Sequence, residues 1–501
     1  MHPDELWQDV VPANQLKSRS VRGASVTAVA QLIKLVLMLG SQLVLARLLL
    51  PEDFGLFAMV TPVIGFVAIL ADLGLTQAVV SRPQLRMAEL NAFFWLNLFL
   101  SAGLAVLLSL CGPLLSWLYG EQRVTAVTIA CATLVLVGGA GMLQAALLNR
   151  QLRFGAIAGI EIAALLASVI TTTLLAWRGW SYWSLVLGQA AGTLTSTILL
   201  WIVSHWRPRA PAFDRGALSL ARFGGNITVS NLAGHLNMTL DNIMIGAVLG
   251  RLVLGLYDRA WKLAVQPLMQ IQAPFNRVAV PVLSRVVDEP ARYRQAFGQM
   301  TQAMLLAIAP AMIFAALLAA PLITLALGQR WLPSAPIFAW LCLGAIVTPV
   351  NSASFWLLVS QGRAREQMTY GTLAAAINVA AYACGLPWGI VGVAMASALS
   401  VYLLQAPMLV LVSIRRGPVD GRAMLQLLLL PNILAAIIAA GALWQADRWF
   451  GMSGLISLVL AAAGTFAIYA GVLACFESTR TRLRGLSAMM LLLRQKGATP
   501  A

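Results

Sequence analysis

The sequence predicts an all-α integral membrane protein with about 14 transmembrane helices. Of its 501 residues 60% are hydrophobic and only 10% are charged, so a water-soluble fold could not cover the apolar surface. Apolar stretches of about 20 residues recur along the whole chain, the length that crosses a bilayer. Lys and Arg collect in alternate loops between these stretches. Inside lipid only helices or closed barrels satisfy the backbone, and the apolar stretches are long enough for helices.

The predicted spans follow one another with short connections, apart from one linker in the middle of the chain. In order, they cover residues 24–48, 54–78, 91–117, 122–148, 156–177, 182–204, 221–249, 255–283, 296–320, 331–359, 367–386, 389–413, 423–446 and 452–475. A turn at Gly250–Leu254 separates the seventh span from the eighth. Pro387 and Gly389 supply the turn between the eleventh and the twelfth.

The distribution of cations predicts the orientation of the chain. The N-terminus, the even-numbered loops and the C-terminus together hold 24 of the 34 Lys and Arg residues. Because cytoplasmic loops are enriched in these residues, both termini are expected in the cytoplasm and the number of spans is expected to be even. The net charge of +16 is spread over short loops, so it indicates membrane orientation rather than nucleic-acid binding.

An internal match suggests that the chain is built from two related halves. Residues 48–57 align without gaps to residues 248–257, an offset that leaves six spans between the copies. Two six-helix lobes related as parallel repeats are therefore predicted, with two accessory helices at the C-terminal end. The predicted parts are a cytoplasmic leader (1–23), an N-lobe (24–204), a linker (205–220), a C-lobe (221–413), the accessory pair (423–475) and a basic tail (476–501).

Polar residues inside the central spans form stripes rather than a random scatter. On a helical wheel the members in the eighth span share a stripe about 80° wide. They are Arg259, Lys262, Gln266, Gln270 and Arg277. In the seventh span a similar stripe contains Asn226, Ser230, Asn237 and Asp241. Such stripes are predicted either to face an aqueous cavity or to hydrogen-bond to neighbouring helices.

The first span carries a cation of its own. Lys34 lies about 15 Å from the cytoplasmic start of the span, near the middle of the bilayer, on the same side of the wheel as Gln31. An intramembrane cation costs about 2.5–3.5 kcal/mol, which favours a cavity for Lys34, Lys262 and Arg277. Arg259 is predicted to bind substrate in the same cationic cavity, with a position at the membrane surface as the alternative.

Acidic residues are scarce in the spans and have two interpretations. Asp72, Glu161 and Asp241 either balance cations in salt bridges, which is the default, or couple transport to an ion. The five cysteines and three histidines are too dispersed for a disulfide framework or a metal site, so no cofactor is expected.

Two segments resemble one known family. Residues 46–56 read ARLLLPEDFGL, and Asp241–Gly246, Gly255–Tyr257 and Pro281–Arg285 form a second pattern. They resemble the oligosaccharide flippases and polysaccharide exporters of the multidrug/oligosaccharidyl-lipid/polysaccharide exporter superfamily, in the branch of colanic-acid and exopolysaccharide exporters. The resemblance implies a MATE-like fold whose two bundles rock between inward-open and outward-open states in the bacterial inner membrane.

The resemblance also implies a substrate and partners. The substrate is a polyprenyl-pyrophosphate-linked oligosaccharide that moves from the cytoplasmic to the periplasmic leaflet. Transport would be driven by a proton or sodium gradient, among membrane lipids and alongside a polysaccharide polymerase and glycosyltransferases. A cavity lined by Lys34, Lys262 and Arg277 suits the diphosphate, because cations offset its desolvation.

Two other classes of function stay open at this stage. An ion-coupled multidrug antiporter would share the architecture but should need acidic groups in its cavity, and here cations outnumber acids within the spans. A membrane polymerase or glycosyltransferase would need a large catalytic loop or a carboxylate pair. The loops on the non-cytoplasmic side are short, which favours a transporter over an enzyme.

Overall fold

The computed structural model describes residues 13–72, 74, 79, 85–210, 215–414, 419, 429–451, 454–477 and 479–482, and its regular elements there are helices. In chain order the α-helices are α1 (Ala13–Leu48), α2 (Pro51–Asp72), α3 (Met87–Tyr119), α4 (Arg123–Arg150), α5 (Phe154–Trp177), α6 (Trp183–Ser204), α7 (Arg215–Arg285), α8 (Pro290–Leu317), α9 (Ala319–Ala326), α10 (Ala335–Ala345), α11 (Thr348–Ser360), α12 (Ala364–Gly385), α13 (Gly389–Ser400), α14 (Ala406–Ile414), α15 (Leu430–Phe450) and α16 (Leu455–Cys475). The predicted all-α membrane class is confirmed.

The number of membrane spans is close to the predicted number. The described residues contain 12 helical segments that are long and apolar enough to cross a bilayer. Two of them, Asn231–Arg285 with 55 residues and Ala364–Met408 with 45 residues, exceed the length of one crossing. The first is interrupted at Gly250, and the second is interrupted by a 3₁₀ turn at Leu386–Trp388. Counting each as two spans is consistent with the predicted 14.

The break inside α7 is shorter than predicted. Gly250 has φ 80° and ψ 179°, a conformation that only glycine adopts readily, while residues 251–254 are already helical. The predicted turn over Gly250–Leu254 is therefore wrong in length. A single glycine suffices to redirect the chain, because a residue at positive φ cannot continue a right-handed helix.

The start of α2 shows how local chemistry ends one helix and begins the next. Pro51 occupies the first helical position, where its missing N–H costs nothing. The Asp53 carboxylate accepts a hydrogen bond from the Leu50 backbone N–H at 3.0 Å, and Glu52 adds a second negative charge to the first turn. Both acids favour the positive end of the helix dipole.

The chain divides into two compact units, Met1–Asp258 and Arg259–Ala501. In the first unit one core cluster is aromatic and lies around Phe93, Phe94 and Trp206. The first half of α7 belongs to this unit, where the His235 ring contacts the Pro62 carbonyl of α2 at 2.9 Å. This division lies beyond the predicted linker at 205–220, and the predicted lobe boundaries stay a prediction.

The second unit holds the largest buried side chains around α8 and α11, with Trp356 and Tyr293 fully enclosed. Its last two helices are joined to α8 by a buried polar network. Gln302 and Asn432 exchange two amide hydrogen bonds of 3.1 and 3.0 Å, and the Tyr469 hydroxyl donates to the Asn432 carbonyl oxygen at 2.9 Å. The predicted accessory pair is therefore built into the second unit.

Candidate functional site

Lys34, the predicted cavity cation in the first unit, forms an ion pair inside the membrane-spanning region. The Lys34 ammonium of α1 donates to Glu161 Oε2 of α5 at 2.6 Å. Both residues lie within apolar spans, Val29–Leu48 and Phe154–Trp177. The Lys34 side chain is 23% exposed and the Glu161 side chain 49%, so the pair is open on one side. Of the two interpretations of Glu161, a salt bridge or coupling to an ion, this geometry corresponds to the salt bridge.

The other two predicted acids have different surroundings. Asp241 is buried and accepts hydrogen bonds from the Tyr257 hydroxyl and from the Asn242 backbone N–H, both at 2.8 Å. Asp72 is half-buried and lines a small cavity of about 10 Å³ together with Asn97. That cavity has room for about one water molecule and not for a substrate.

The predicted polar stripe in the second half of α7 runs from a buried position to exposed ones. Arg259 is buried, Lys262 and Gln266 are half-buried, and Gln270 and Arg277 are exposed. These residues span about five turns of one helix, so their exposure rises towards its C-terminal end. Of the four predicted cavity cations, Lys262 and Arg277 therefore lie in the second unit with exposed surface, and Arg259 lies there buried.

The remaining predicted cavity-lining residues differ in exposure. Gln31 is half-buried on α1, one turn before Lys34, and Asn237 is exposed on the first half of α7. The side chain of Asn226 lies outside the described residues. The structure thus brings Lys34 together with Glu161, whereas the convergence of Lys34 with Lys262 and Arg277 on one cavity stays a prediction.

The two copies of the internal repeat touch each other through their glycines, a contact that sequence reasoning missed. A Cβ atom on Gly55 would lie 1.7 Å from the Arg251 carbonyl oxygen, and one on Gly255 would lie 1.8 Å from the Pro51 carbonyl oxygen. The contact is reciprocal: Gly55 meets Arg251, the counterpart of Pro51, and Pro51 meets Gly255, the counterpart of Gly55. The equal offset between the copies was the available signal for this pairing.

Charged side chains surround the glycine contact. The Arg251 guanidinium donates to Glu52 Oε2 from Nη2 at 2.8 Å and from Nε at 3.1 Å. It also donates to Glu121, in the loop between α3 and α4. Asp53, which caps α2, accepts a hydrogen bond from the Ser181 hydroxyl in the loop between α5 and α6. Each polar residue of the segment Pro51–Gly55 thus has a structural role here.

The fold and the charged residues within its spans define a polytopic membrane protein of the transporter type. The same fold occurs in the lipid II flippase MurJ in an inward closed conformation. The match has a TM-score of 0.73 and covers 89% of this chain and 98% of MurJ, at 14% sequence identity. Residues 44–336, more than half of the chain, match the model of the polysaccharide biosynthesis protein family. The chain belongs to that family.

Curated relatives agree with this assignment. The lipopolysaccharide biosynthesis protein WzxC of Escherichia coli (strain K12) is 24% identical over 354 residues, which are 70% of this chain and 71% of WzxC. The succinoglycan biosynthesis transport protein ExoT of Rhizobium meliloti (strain 1021) is 26% identical over 310 residues, 62% of this chain and 63% of ExoT. The family resemblance predicted from the two signature segments is confirmed.

Proposed function

We propose that this protein is a flippase, and not an enzyme, that moves a polyprenyl-pyrophosphate-linked oligosaccharide from the cytoplasmic to the periplasmic leaflet. It acts by alternating access in the bacterial inner membrane, with both termini in the cytoplasm, and serves exopolysaccharide or lipopolysaccharide biosynthesis. Family membership, the relatives' roles in polysaccharide biosynthesis and transport, and the MurJ-like fold support the proposal.

The observation that carries the proposal is the partly exposed cation within α1. The ammonium of Lys34 lies in an apolar span, where a cation costs about 2.5–3.5 kcal/mol unless an anion pairs with it, as Glu161 does here. Lys34 and Lys262 are half-buried and Arg277 is exposed, so none of these three side chains is fully enclosed by the protein. A substrate that carries a diphosphate through the bilayer supplies the anion that such cations stabilise, because charge-assisted hydrogen bonds contribute about 1.5–3 kcal/mol each.

The remaining polar residues suit the other parts of the substrate. Amide side chains such as Gln266, Gln270 and Asn237 donate and accept hydrogen bonds, so they bind sugar hydroxyls without demanding one glycan. The polyprenyl tail stays among membrane lipids. A proton or sodium gradient is the expected energy source, and a polymerase and glycosyltransferases are the expected partners that consume and supply the substrate.

Substitution of the cations tests the proposal. In a strain lacking the gene, we expect Lys34→Ala, Lys262→Ala and Arg277→Ala each to abolish polymer export and to accumulate the lipid-linked glycan inside. Arg123→Ala is the matched control, because its side chain is 55% exposed at a helix end, and it should export normally. Membrane-fraction blots check that each variant is inserted. Normal export by all three variants would refute the cationic pathway.

A further inference from the structure

The ion pair between Lys34 and Glu161 has a geometry that a substrate could enter. A lysine ammonium has three donors, and Glu161 Oε2 takes one of them at 2.6 Å. Half of the Glu161 side chain is exposed, so the carboxylate has open space on one side of the ion pair. The pair therefore resembles a binding site whose anion is supplied by the protein itself.

A diphosphate competes for the same ammonium. Its anionic oxygens offer Lys34 the same charge-assisted hydrogen bond that Glu161 offers. If the carboxylate remained ionised beside a bound diphosphate, like charges would face each other within a few ångströms in a region of low dielectric constant. A nearby like charge favours the protonated form of a carboxyl group. Displacement of Glu161 is therefore tied to protonation.

The other charged groups near Glu161 do not provide an alternative partner. Helix α5 packs against α1, α4 and α6. Helix α6 contains no charged residue, and on α4 the cations Arg123 and Arg150 lie at its two ends. On α1 the described side chains add Arg47, which lies in the last turn, about 20 Å of helix beyond Lys34. Lys34 is therefore the cation that faces Glu161 among the described side chains.

We propose that Glu161 holds the diphosphate position on Lys34 in the unloaded protein, and that diphosphate binding displaces it with uptake of a proton from water. This inference rests on the proposed function and names the residue that links substrate binding to protons. The carboxyl O–H bond forms with the proton taken from water, and no other covalent bond changes. On release the carboxyl group returns its proton to water and pairs again with Lys34, so the empty protein returns with a neutral pair.

The linkage has a consequence for the energy source. The proton travels outward with the substrate at this site, and the loaded site carries less negative charge than the diphosphate alone. Export at this site is then favoured by the inside-negative membrane potential acting on the remaining negative charge. Inward proton flow through Glu161 would not drive it, so any proton gradient that drives export acts at another residue.

Calorimetry on the full-length protein in lipid nanodiscs tests the linkage. The probe is farnesyl-diphosphate-linked N-acetylglucosamine, a diphosphate diester whose acidic oxygens do not titrate near neutral pH. We expect wild-type affinity to fall by up to about tenfold per pH unit over the range in which binding takes up a proton. Binding heats in two buffers of different ionisation enthalpy give the number of protons taken up.

Three variants separate the linkage from general effects. Glu161→Gln should bind the probe about tenfold more tightly at alkaline pH, without proton uptake and without pH dependence. Glu161→Asp keeps a carboxylate and should keep the proton uptake, which preserves the test if the amide variant folds poorly. Glu366→Gln is the matched control, since it removes a Glu–Arg ion pair at Arg363 and should behave as wild type.

The outcomes distinguish this inference from the proposed function. Wild-type binding with the same affinity at both ends of the pH range and no proton uptake would overturn the linkage, as would proton uptake that persists in Glu161→Gln. In either case the flippase assignment stands. Two results together would overturn both the inference and the proposed function: the wild-type protein does not bind the diester, and a strain that lacks the gene exports polymer normally.

Discussion

A methyl group on either glycine of the repeat contact should force the two signature segments apart. The Cβ of Gly55→Ala would lie 1.7 Å from the Arg251 carbonyl oxygen, and that of Gly255→Ala 1.8 Å from the Pro51 carbonyl oxygen. Non-bonded heavy atoms prefer a separation of about 3.5 Å. Because both obstacles are backbone atoms, no side-chain rotation relieves them, and the helices must separate by roughly 1.5 Å or more.

The expected cost follows from that displacement. Overpacking typically costs about 1–3 kcal/mol and occasionally more. A Gly→Ala change inside a helix gains at most about 1 kcal/mol in helix propensity, so the net effect remains destabilising. The displacement also strains the Arg251 ion pairs beside the contact. Since either methyl group opens the same gap, the double variant should lose less stability than the sum of the single variants.

Thermal unfolding of the purified protein, followed by tryptophan fluorescence, measures the effect. Gly55→Ala and Gly255→Ala should each have a lower Tm than wild type. Gly103→Ala is the matched control, because it lies inside α3 with no atom within 4 Å of the added methyl group. Its Tm should be unchanged or higher. If the two contact variants were as stable as Gly103→Ala, the reciprocal glycine contact would be wrong.

Two further predictions concern polar contacts. Asn432→Ala should lower the free energy of unfolding by about 1–3 kcal/mol, because it leaves the buried Gln302 amide and the Tyr469 hydroxyl without their partner. Tyr469→Phe removes one donor and leaves the amide pair, so it should have a smaller effect in the same unfolding assay. Arg251→Ala should also lower the Tm, because Glu52 then loses its cation and Glu121 keeps only Arg123, at 3.7 Å. Adding Glu121→Gln should restore part of the loss, and a Tm that falls further in the double variant would contradict this explanation.

Much of the fold followed from patterns that are local in the sequence. Each predicted span overlaps a helix of the structure, because an apolar run of sufficient length has few alternatives to a helix in lipid. Breaks were predicted where glycine and proline interrupt the runs, and the structure has them at Gly250 and at Leu386–Trp388. The error at Gly250–Leu254 concerned length alone, since sequence does not reveal that one residue completes the turn.

The sequence by itself thus determined the membrane class, the succession of helices and the family, because apolar composition and short signatures are properties of contiguous residues. Only the tertiary structure decided which side chains meet. Lys34 and Glu161 are 127 positions apart, and no periodicity within α1 or α5 reports that pairing. Likewise the contact between Gly55 and Arg251 depends on how two helices approach each other. Contacts between distant residues depend on packing in three dimensions, which a wheel drawn for one helix does not contain.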